Sequence, residues 1–304
     1  MGMRVVVLLG GLSPERSVSL STGAGVVAAV ERLGHQVLGV DPQEPHWPEQ
    51  IKAFAPDVVF NALHGEWGED GRIQGVLDFM RVPYTHSGVL ASAIAMDKAR
   101  SKAVFAAAGL PLAKDRVMNR LEAAKTHPMP VPYVVKPNVG GSSYGVFIVR
   151  QGANRPPEQL LDPDWAYGET VMVEEFIAGK ELTVAVLGDR ALAVTEIVPA
   201  GEWYDFDAKY AEGGSRHELP AKIPAEVTAE CLRVAKAAHD ALGCRGLSRS
   251  DFRYDSETAR LVLLEVNTQP GMTPTSLAPE QAAHVGMTYD QLVQWMLEDA
   301  SWPR

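Results

Sequence analysis

The chain has 304 residues, enough for two or three units of ordinary domain size, and 46% hydrophobic against 22% charged residues excludes extensive disorder. A net charge of −10 argues against nucleic acid or an acidic membrane surface as a general partner, since those need clustered Lys and Arg, but leaves an anionic small ligand open. The two cysteines, Cys231 and Cys244, have no CxxC spacing, which excludes a disulfide scaffold and a cysteine-based zinc site and leaves them as small core residues.

In chain order, residues 4–9 read as a fully buried strand followed by a Gly10-Gly11 turn. This apolar run is too short to cross a membrane, and Glu15 follows too soon for a secretory signal. Met1-Gly2 lies beside the strand rather than at an acylation site, so a cytosolic location is expected. A helix is predicted over 16–33, ended by Gly34, then strands over 35–41 and 58–63, the latter ending at His64. A helix over 73–80 and a short strand over 82–86 follow. This alternation predicts a parallel sheet with helices on both faces. Ligands of such sheets gather at the carboxyl ends of strands, where Gly10-Gly11 and His64 fall.

Residues 97–109 read as a helix carrying Lys98, Arg100 and Lys102. Strands are predicted over 133–136 and 146–149 around a Gly- and Ser-rich loop, with a polar surface loop over 152–163. An apolar strand over 171–177 holds Glu174 and Glu175. The segments 181–187 and 191–198 form antiparallel neighbours joined at Gly188-Asp189. Residues 200–221, with Tyr204, Lys209 and Tyr210, have no period, as in many active-site lids. An amphipathic helix over 225–242, strands over 249–254 and 261–266, and a helix over 289–297 complete the chain. The class is α/β at the N-terminus and α+β in the remaining two thirds.

Four motifs carry chemistry. Arg249-Ser-Asp251-Phe and Leu264-Glu265-Val-Asn267-Thr, if paired as a hairpin, bring two carboxylates, an amide oxygen and a guanidinium onto one patch. Hard oxygen donors of this kind suit Mg²⁺ shared with substrate phosphates; alone, the patch reads equally well as a solvated ion pair. The Pro270-Gly271 turn beyond it lets backbone N–H groups approach an anion. Lys136-Pro-Asn-Val-Gly140-Gly141-Ser142-Ser143-Tyr-Gly145 places a lysine at a strand end before a loop able to wrap phosphates, though it is not a Walker P-loop; an ordinary hairpin turn is the plain alternative. His64-Gly65-Glu66-Trp67-Gly68-Glu69-Asp70-Gly71 follows an apolar strand. Its His reads also as a satisfied structural histidine, and Glu69 and Asp70 read as structural, Asp70 capping the next helix. Glu174-Glu175-Phe176-Ile177 places carboxylates ahead of an apolar pair, an arrangement able to read an adenine and a ribose.

Together, and in this order, the motifs resemble the ATP-grasp superfamily and in particular its D-alanine–D-alanine ligase family. The resemblance runs from Leu9-Gly-Gly-Leu-Ser-Pro-Glu15 to Gly271-Met-Thr-Pro-Thr-Ser276-Leu277. The segment from His64 to Gly75 is the most family-specific part, and 264–271 is the shared metal-site signature. It implies an ATP-grasp fold with an N-terminal Rossmann-like unit (1–96), a central subdomain (97–178) and a C-terminal subdomain (179–304). The implied reaction serves peptidoglycan precursor synthesis. One D-alanine carboxylate attacks the γ-phosphate of ATP to give an acyl phosphate, and a second D-alanine amine then attacks that carbonyl.

Carried over by position, Lys98, Lys136, Ser142 and Ser143 handle ATP phosphates, and Lys209 reaches the γ-phosphate. Glu174, Glu175, Phe176 and Ile177 line the adenine pocket, and Glu181 holds the ribose. Asp251, Glu265 and Asn267 bind two Mg²⁺ (or Mn²⁺) ions, while Arg249 and the Gly271 N–H stabilise the developing oxyanion. Glu15, set by Ser142 and Tyr210 with His64 nearby, binds the first D-alanine, and Ser276 with the Leu277 N–H takes the second carboxylate. A tyrosine at position 210 accompanies amine rather than D-lactate acceptors in the family. A homodimer is also implied. Ser250 and Arg253 stand where the family pattern is apolar, which bears on strand packing. Another ATP-grasp ligase, a non-catalytic nucleotide sensor and a nicotinamide Rossmann enzyme are the rivals. The last fails because Gly10-Gly11-Leu-Ser-Pro is not GxGxxG.

Overall fold

The computed structural model describes residues 2–142, 144–199 and 214–304. β1 (Arg4–Leu8) lies between β2 (Gln36–Val40) and β3 (Val58–Asn61) in a parallel sheet. Val5, Val6, Val7 and Leu8 are fully buried because helices cover both faces, which is why the run is continuously apolar. α1 (Arg16–Arg32) and α2 (Trp47–Phe54) make the crossovers, and α3 (Arg72–Met80) follows β3. The strand expected over 82–86 is reduced to one bridging residue, Tyr84, which pairs with Val59 and Ser301. Pro83 has no N–H for a ladder, and His86 is left-handed at φ 65°, so pairing stops on either side of Tyr84.

Helices α4 (Val89–Met96) and α5 (Lys98–Ala107) lead to a second, antiparallel sheet. Its order is β4 (Asp115–Asn119), β7 (Thr170–Glu175), β5 (Tyr133–Pro137), β6 (Phe147–Val149). The short helix α6 (Arg120–Ala123) follows β4. The surface loop expected over 152–163 is anchored rather than free: a 3-10 turn, Glu158–Leu161, buries Leu160 completely, and Arg120 donates to the Leu160 carbonyl at 2.6 Å.

The third sheet is also antiparallel, in the order β10 (Ser215–Glu218), β9 (Arg190–Pro199), β8 (Lys180–Leu187), β11 (Leu247–Asp255), β12 (Arg260–Asn267). α7 (Ala225–Leu242) packs on this sheet; α8 (Leu277–His284) and α9 (Tyr289–Asp299) close the chain. β10 occupies part of the stretch read as an unpatterned loop; residues 200–213, with Tyr204, Lys209 and Tyr210, lie outside the described residues, as does Ser143. Among the described residues, no helix is long and apolar enough to cross a membrane.

One core joins the first and third sheets. Val5, Val7 and Phe60 pack with Ala185, Leu187 and Leu247 and with Leu292, Val293 and Met296 of α9. Polar contacts lock the same seam: Asn61 donates to Gln269 at 2.7 Å, and Gln269 donates to the Leu63 carbonyl. The second sheet has its own core and reaches the third through residues 176–179. Gly179 there has φ +88° and presses against the Tyr254 carbonyl, leaving no room for a Cβ. Arg260 on β12 grips Glu175 on β7 with two bonds of 2.6 and 2.8 Å, stapling the sheets beside this crossover. Gly179→Ala is therefore expected to destabilise the protein by about 1–3 kcal/mol, read as a lowered denaturant midpoint; an unchanged midpoint would show that the crossover relaxes freely.

Candidate active site

A cavity of about 920 Å³ opens where the three sheets meet, the size range of a nucleotide pocket. Its walls come from the loop after β1, the N-terminus of α5, the loop between β5 and β6, the crossover 176–179, and the inner ends of β11 and β12.

The hairpin of β11 and β12 sets Arg249 opposite Asn267 and Asp251 opposite Glu265, so the expected patch forms. Asp251 collects four donors: Arg249 through Nε at 2.8 Å and Nη2 at 2.7 Å, Thr183 Oγ1 at 2.6 Å and Asn267 Nδ2 at 3.0 Å. Glu265 faces Lys98 Nζ at 3.4 Å. Asp251 and Glu265 line the cavity. Among the described residues, no three His, Cys, Asp or Glu side chains gather as a metal cage. Two carboxylates lining a phosphate-sized space, with the Asn267 amide bonded to one of them, do fit a hard divalent cation that keeps water and shares its shell with a substrate. Ser250, the departure next to Asp251, is fully buried with its hydroxyl lacking a hydrogen-bond partner among the described residues.

Below this patch lies a buried cluster that the sequence did not disclose. Glu174 gives one oxygen to Lys102 at 2.6 Å and the other to Lys136 at 2.7 Å; Lys102 also meets Asp115 at 2.9 Å and the Ala113 carbonyl at 3.0 Å. Burial works to raise the Glu174 pKa, but Lys136 and Lys102 outweigh it and hold the carboxyl below its usual range. Burial likewise works to lower Lys136, and Glu174 and Glu265 outweigh it, so the ammonium stays charged at the cavity wall. Both oxygens of Glu174 are engaged, so it organises the lysines rather than standing ready to read a base. Lys102 was legible only as a helix lysine, because its partners are 11 to 72 residues away.

The phosphate-loop candidate is tied to α5. Asp97 caps the helix by accepting from Arg100 N at 3.0 Å, and Asn138 bridges Asp97 Oδ1 and the Ala99 N–H at 3.0 Å each. Lys98 Nζ then donates to the Gly140 carbonyl at 2.6 Å, bringing Lys98 and Lys136 into the same cavity. Ser142 is left-handed at φ 52°, and Gly140 and Gly145 also have positive φ, so the loop turns as its glycines require. Tyr144 stacks on Tyr167 with centroids 6.3 Å apart, forming an aromatic wall on the cavity that sequence reading overlooked.

Glu15, buried just before α1, reaches the far end of the cavity with its carboxylate near Gly141 and hard against Gly65, where a side chain would collide with it and with Ser13. His64 stands behind it. Its Nε2 meets Thr22 Oγ1 at 2.9 Å and its Nδ1 meets Glu69 at 3.2 Å, so it is a satisfied, buried histidine. Glu69 also accepts from the Gly65 N–H at 3.0 Å, and Asp70 accepts from the Trp67 and Arg72 N–H groups; the cap residue of α3 is Gly71 rather than the expected Asp70, which sits one residue ahead of it and lines the cavity. Phe176 and Ile177 line the opposite end with Glu175 and Glu181. Gly271, Ser276 and Leu277 lie beyond the metal-candidate strands: Ser276 Oγ accepts from Thr273 N–H at 3.1 Å and lies against Gly271, and Leu277 begins α8 with its N–H in the orphan first turn.

Two antiparallel sheets closing on a cavity edged by lysines, a glycine-serine loop and paired carboxylates, behind a parallel N-terminal sheet, define an ATP-grasp fold. Family models described as D-ala D-ala ligase C-terminus and N-terminus match residues 104–298 and 41–87. A D-alanine–D-alanine ligase of Caulobacter vibrioides is 60% identical over 98% of this chain and 93% of its own length. One of Acidiphilium cryptum is 59% identical over 98% of both chains. The solved D-alanine–D-alanine ligase of Bacillus anthracis complexed with ATP superposes with a TM-score of 0.80 at 28% identity, over 98% of this chain and 97% of that one. The VanG D-Ala:D-Ser ligase of Enterococcus faecalis superposes at 0.79 with 27% identity, over 98% and 99%. The chain belongs to the D-alanine–D-alanine ligase family.

The Glu174 pair has a pH signature. With its folded pKa lowered, ionised Glu174 contributes stability in full above the ordinary value of 4.5, and that contribution is lost as pH falls through the folded value. Lys102→Met should destabilise by roughly 3 kcal/mol and make acid unfolding begin at higher pH, because only Lys136 still opposes protonation. Equal acid midpoints for variant and wild type in a fluorescence titration would refute this.

Proposed function

We propose that the chain ligates two D-alanine molecules to D-alanyl-D-alanine with conversion of ATP to ADP and phosphate, in the cytoplasm, for peptidoglycan precursor synthesis. The observation that carries the reading is the convergence of Glu15, Lys98, Lys136, Asp251 and Glu265 on one nucleotide-sized cavity. Ligation needs an amino-acid anchor, cations for a triphosphate and hard oxygen donors within reach of one another, and these residues supply all three.

In this reading the ammonium of the first D-alanine pairs with Glu15, which leaves its carboxylate directed toward the γ-phosphate. Lys98 and Lys136 hold the phosphates, and the loop with Ser142 and Ser143 wraps them. Phe176 and Ile177 pack the adenine beside Glu175, and Glu181 holds the ribose. Glu174 keeps Lys136 charged and in place. Asp251, Glu265 and Asn267 would hold two Mg²⁺ (or Mn²⁺) ions, whose chemistry is to neutralise phosphate oxygens. Carboxylate attack on the γ-phosphorus breaks its bond to the β,γ-bridging oxygen, giving the acyl phosphate and releasing ADP. The amine of the second D-alanine, its carboxylate held by Ser276 and the Leu277 N–H, then adds to the carbonyl, and phosphate leaves. Arg249 and the Gly271 N–H stabilise the oxyanion formed on the way. His64 acts as a positioning residue: its two ring contacts fix the loop beside Glu15. Lys209 and Tyr210 are proposed, on family resemblance, to reach the γ-phosphate and to join Glu15 and Ser142. We also propose the units 1–96, 97–178 and 179–304, and a homodimer.

ADP release with D-alanine, L-alanine, D-serine and D-lactate at neutral pH tests the reading. D-Alanine should be preferred both as first substrate and as acceptor; preference for D-lactate would refute the Tyr210 assignment, and no D-alanine-dependent ADP would refute the activity. Glu265→Gln should lower kcat about 100-fold or more while leaving the thermal midpoint nearly unchanged. Chelation of divalent cations should abolish turnover, with recovery on adding Mg²⁺ or Mn²⁺; full activity in excess chelator would remove the metal from the reading.

A further inference from the structure

Arg253 stands where the family pattern is apolar, and it lines the cavity with only 20% of its side chain exposed. A guanidinium in that position must be held by acceptors, and the structure provides them from the crossover between the second and third sheets. Nε donates to the Ile177 carbonyl at 3.0 Å and Nη2 to the Gly179 carbonyl at 2.8 Å. Nη1 lies 3.4 Å from Glu181 Oε2, its cross-strand partner on β8. The same guanidinium sits 5.8 Å from the centre of the Phe176 ring. One side chain on β11 thus ties together the segment that forms the base end of the cavity and the carboxylate at its ribose end. Arg has the fixed fork that such a three-way tie needs; an apolar residue can fill the volume but cannot orient Glu181.

We propose that Arg253 is a positioning residue for nucleotide selectivity, locking residues 176–179 and aiming Glu181 at the ribose hydroxyls. The proposal rests on the reading of Glu181 as the ribose contact. It acts through Glu181 and the crossover carbonyls, so it separates from a general structural role in one respect. Loss of the fork weakens binding of the nucleotide with both hydroxyls more than binding of one that lacks a hydroxyl.

The test is calorimetric affinity of the full chain for ATP, 2′-deoxy-ATP and 3′-deoxy-ATP with Mg²⁺, alongside steady-state kinetics with D-alanine. The wild type should prefer ATP over at least one deoxy analogue by about tenfold or more, the value of a hydrogen bond to a charged acceptor. In Arg253→Met that preference should shrink to about threefold or less, with KM for ATP raised about tenfold and kcat at saturating ATP within about threefold. Arg253→Lys keeps the charge without the fork and should fall between the two; it also serves if the methionine variant fails to fold. Glu181→Gln should lose the same preference. If Glu181→Gln loses it and both Arg253 variants keep it, or if they weaken all three nucleotides equally, the role assigned to Arg253 is overturned while the nucleotide site stands. If the wild type or Glu181→Gln gives no hydroxyl effect, the ribose reading falls, and the proposal with it.

Discussion

A carboxylate almost out of water, Glu174, is the constraint around which the cavity is built. Its side chain is 3% exposed, and an ionised carboxyl at that depth is tolerated only because Lys102 and Lys136 each take one of its oxygens. The three side chains come from β7, α5 and β5, so satisfying one buried charge fixes the helix against the second sheet. The same arrangement leaves Lys136 charged at the cavity wall. Stability and the charge at the cavity wall therefore share one set of contacts.

A second level of order follows from strand register. Pairing of Asp251 with Glu265 and Arg249 with Asn267 puts the hard oxygens and the guanidinium on one patch. Arg249 and Lys98 balance those carboxylates. Like charges brought together without cations would repel, so the register that gathers the carboxylates depends on these two cations beside them. The seam between Asn61 and Gln269 then holds the first sheet, with Glu15 behind it, at a fixed offset from this patch.

The arginines at the crossover extend the same logic. Arg260 to Glu175 and Arg253 to the Ile177 and Gly179 carbonyls join the second and third sheets beside a small apolar cluster of Ala113, Ile177 and Val262. Directional bonds here supplement a core of only a few side chains. A joint held by a few directional bonds defines a cavity without filling it, which apolar packing at the same place would do.

From the sequence alone came the elements with strong period or clear punctuation. The buried strand before Gly10, the amphipathic helix 225–242, and the hairpin carrying Asp251 and Glu265 follow from local pattern, as do the residues matching family motifs. Local pattern failed where partners decide. α2 and α4 are short, β4 is a mostly exposed edge strand, and residues 82–86 look like a strand but carry Pro83. The roles of Lys102, Asn138 and Arg253 were invisible because each acts on residues tens of positions away. Glu174 is the clearest instance. Its type and place on an apolar strand were legible, but whether it faces a ligand or two lysines depends on which helix packs beneath it, and that is settled only when the sheets and α5 come together.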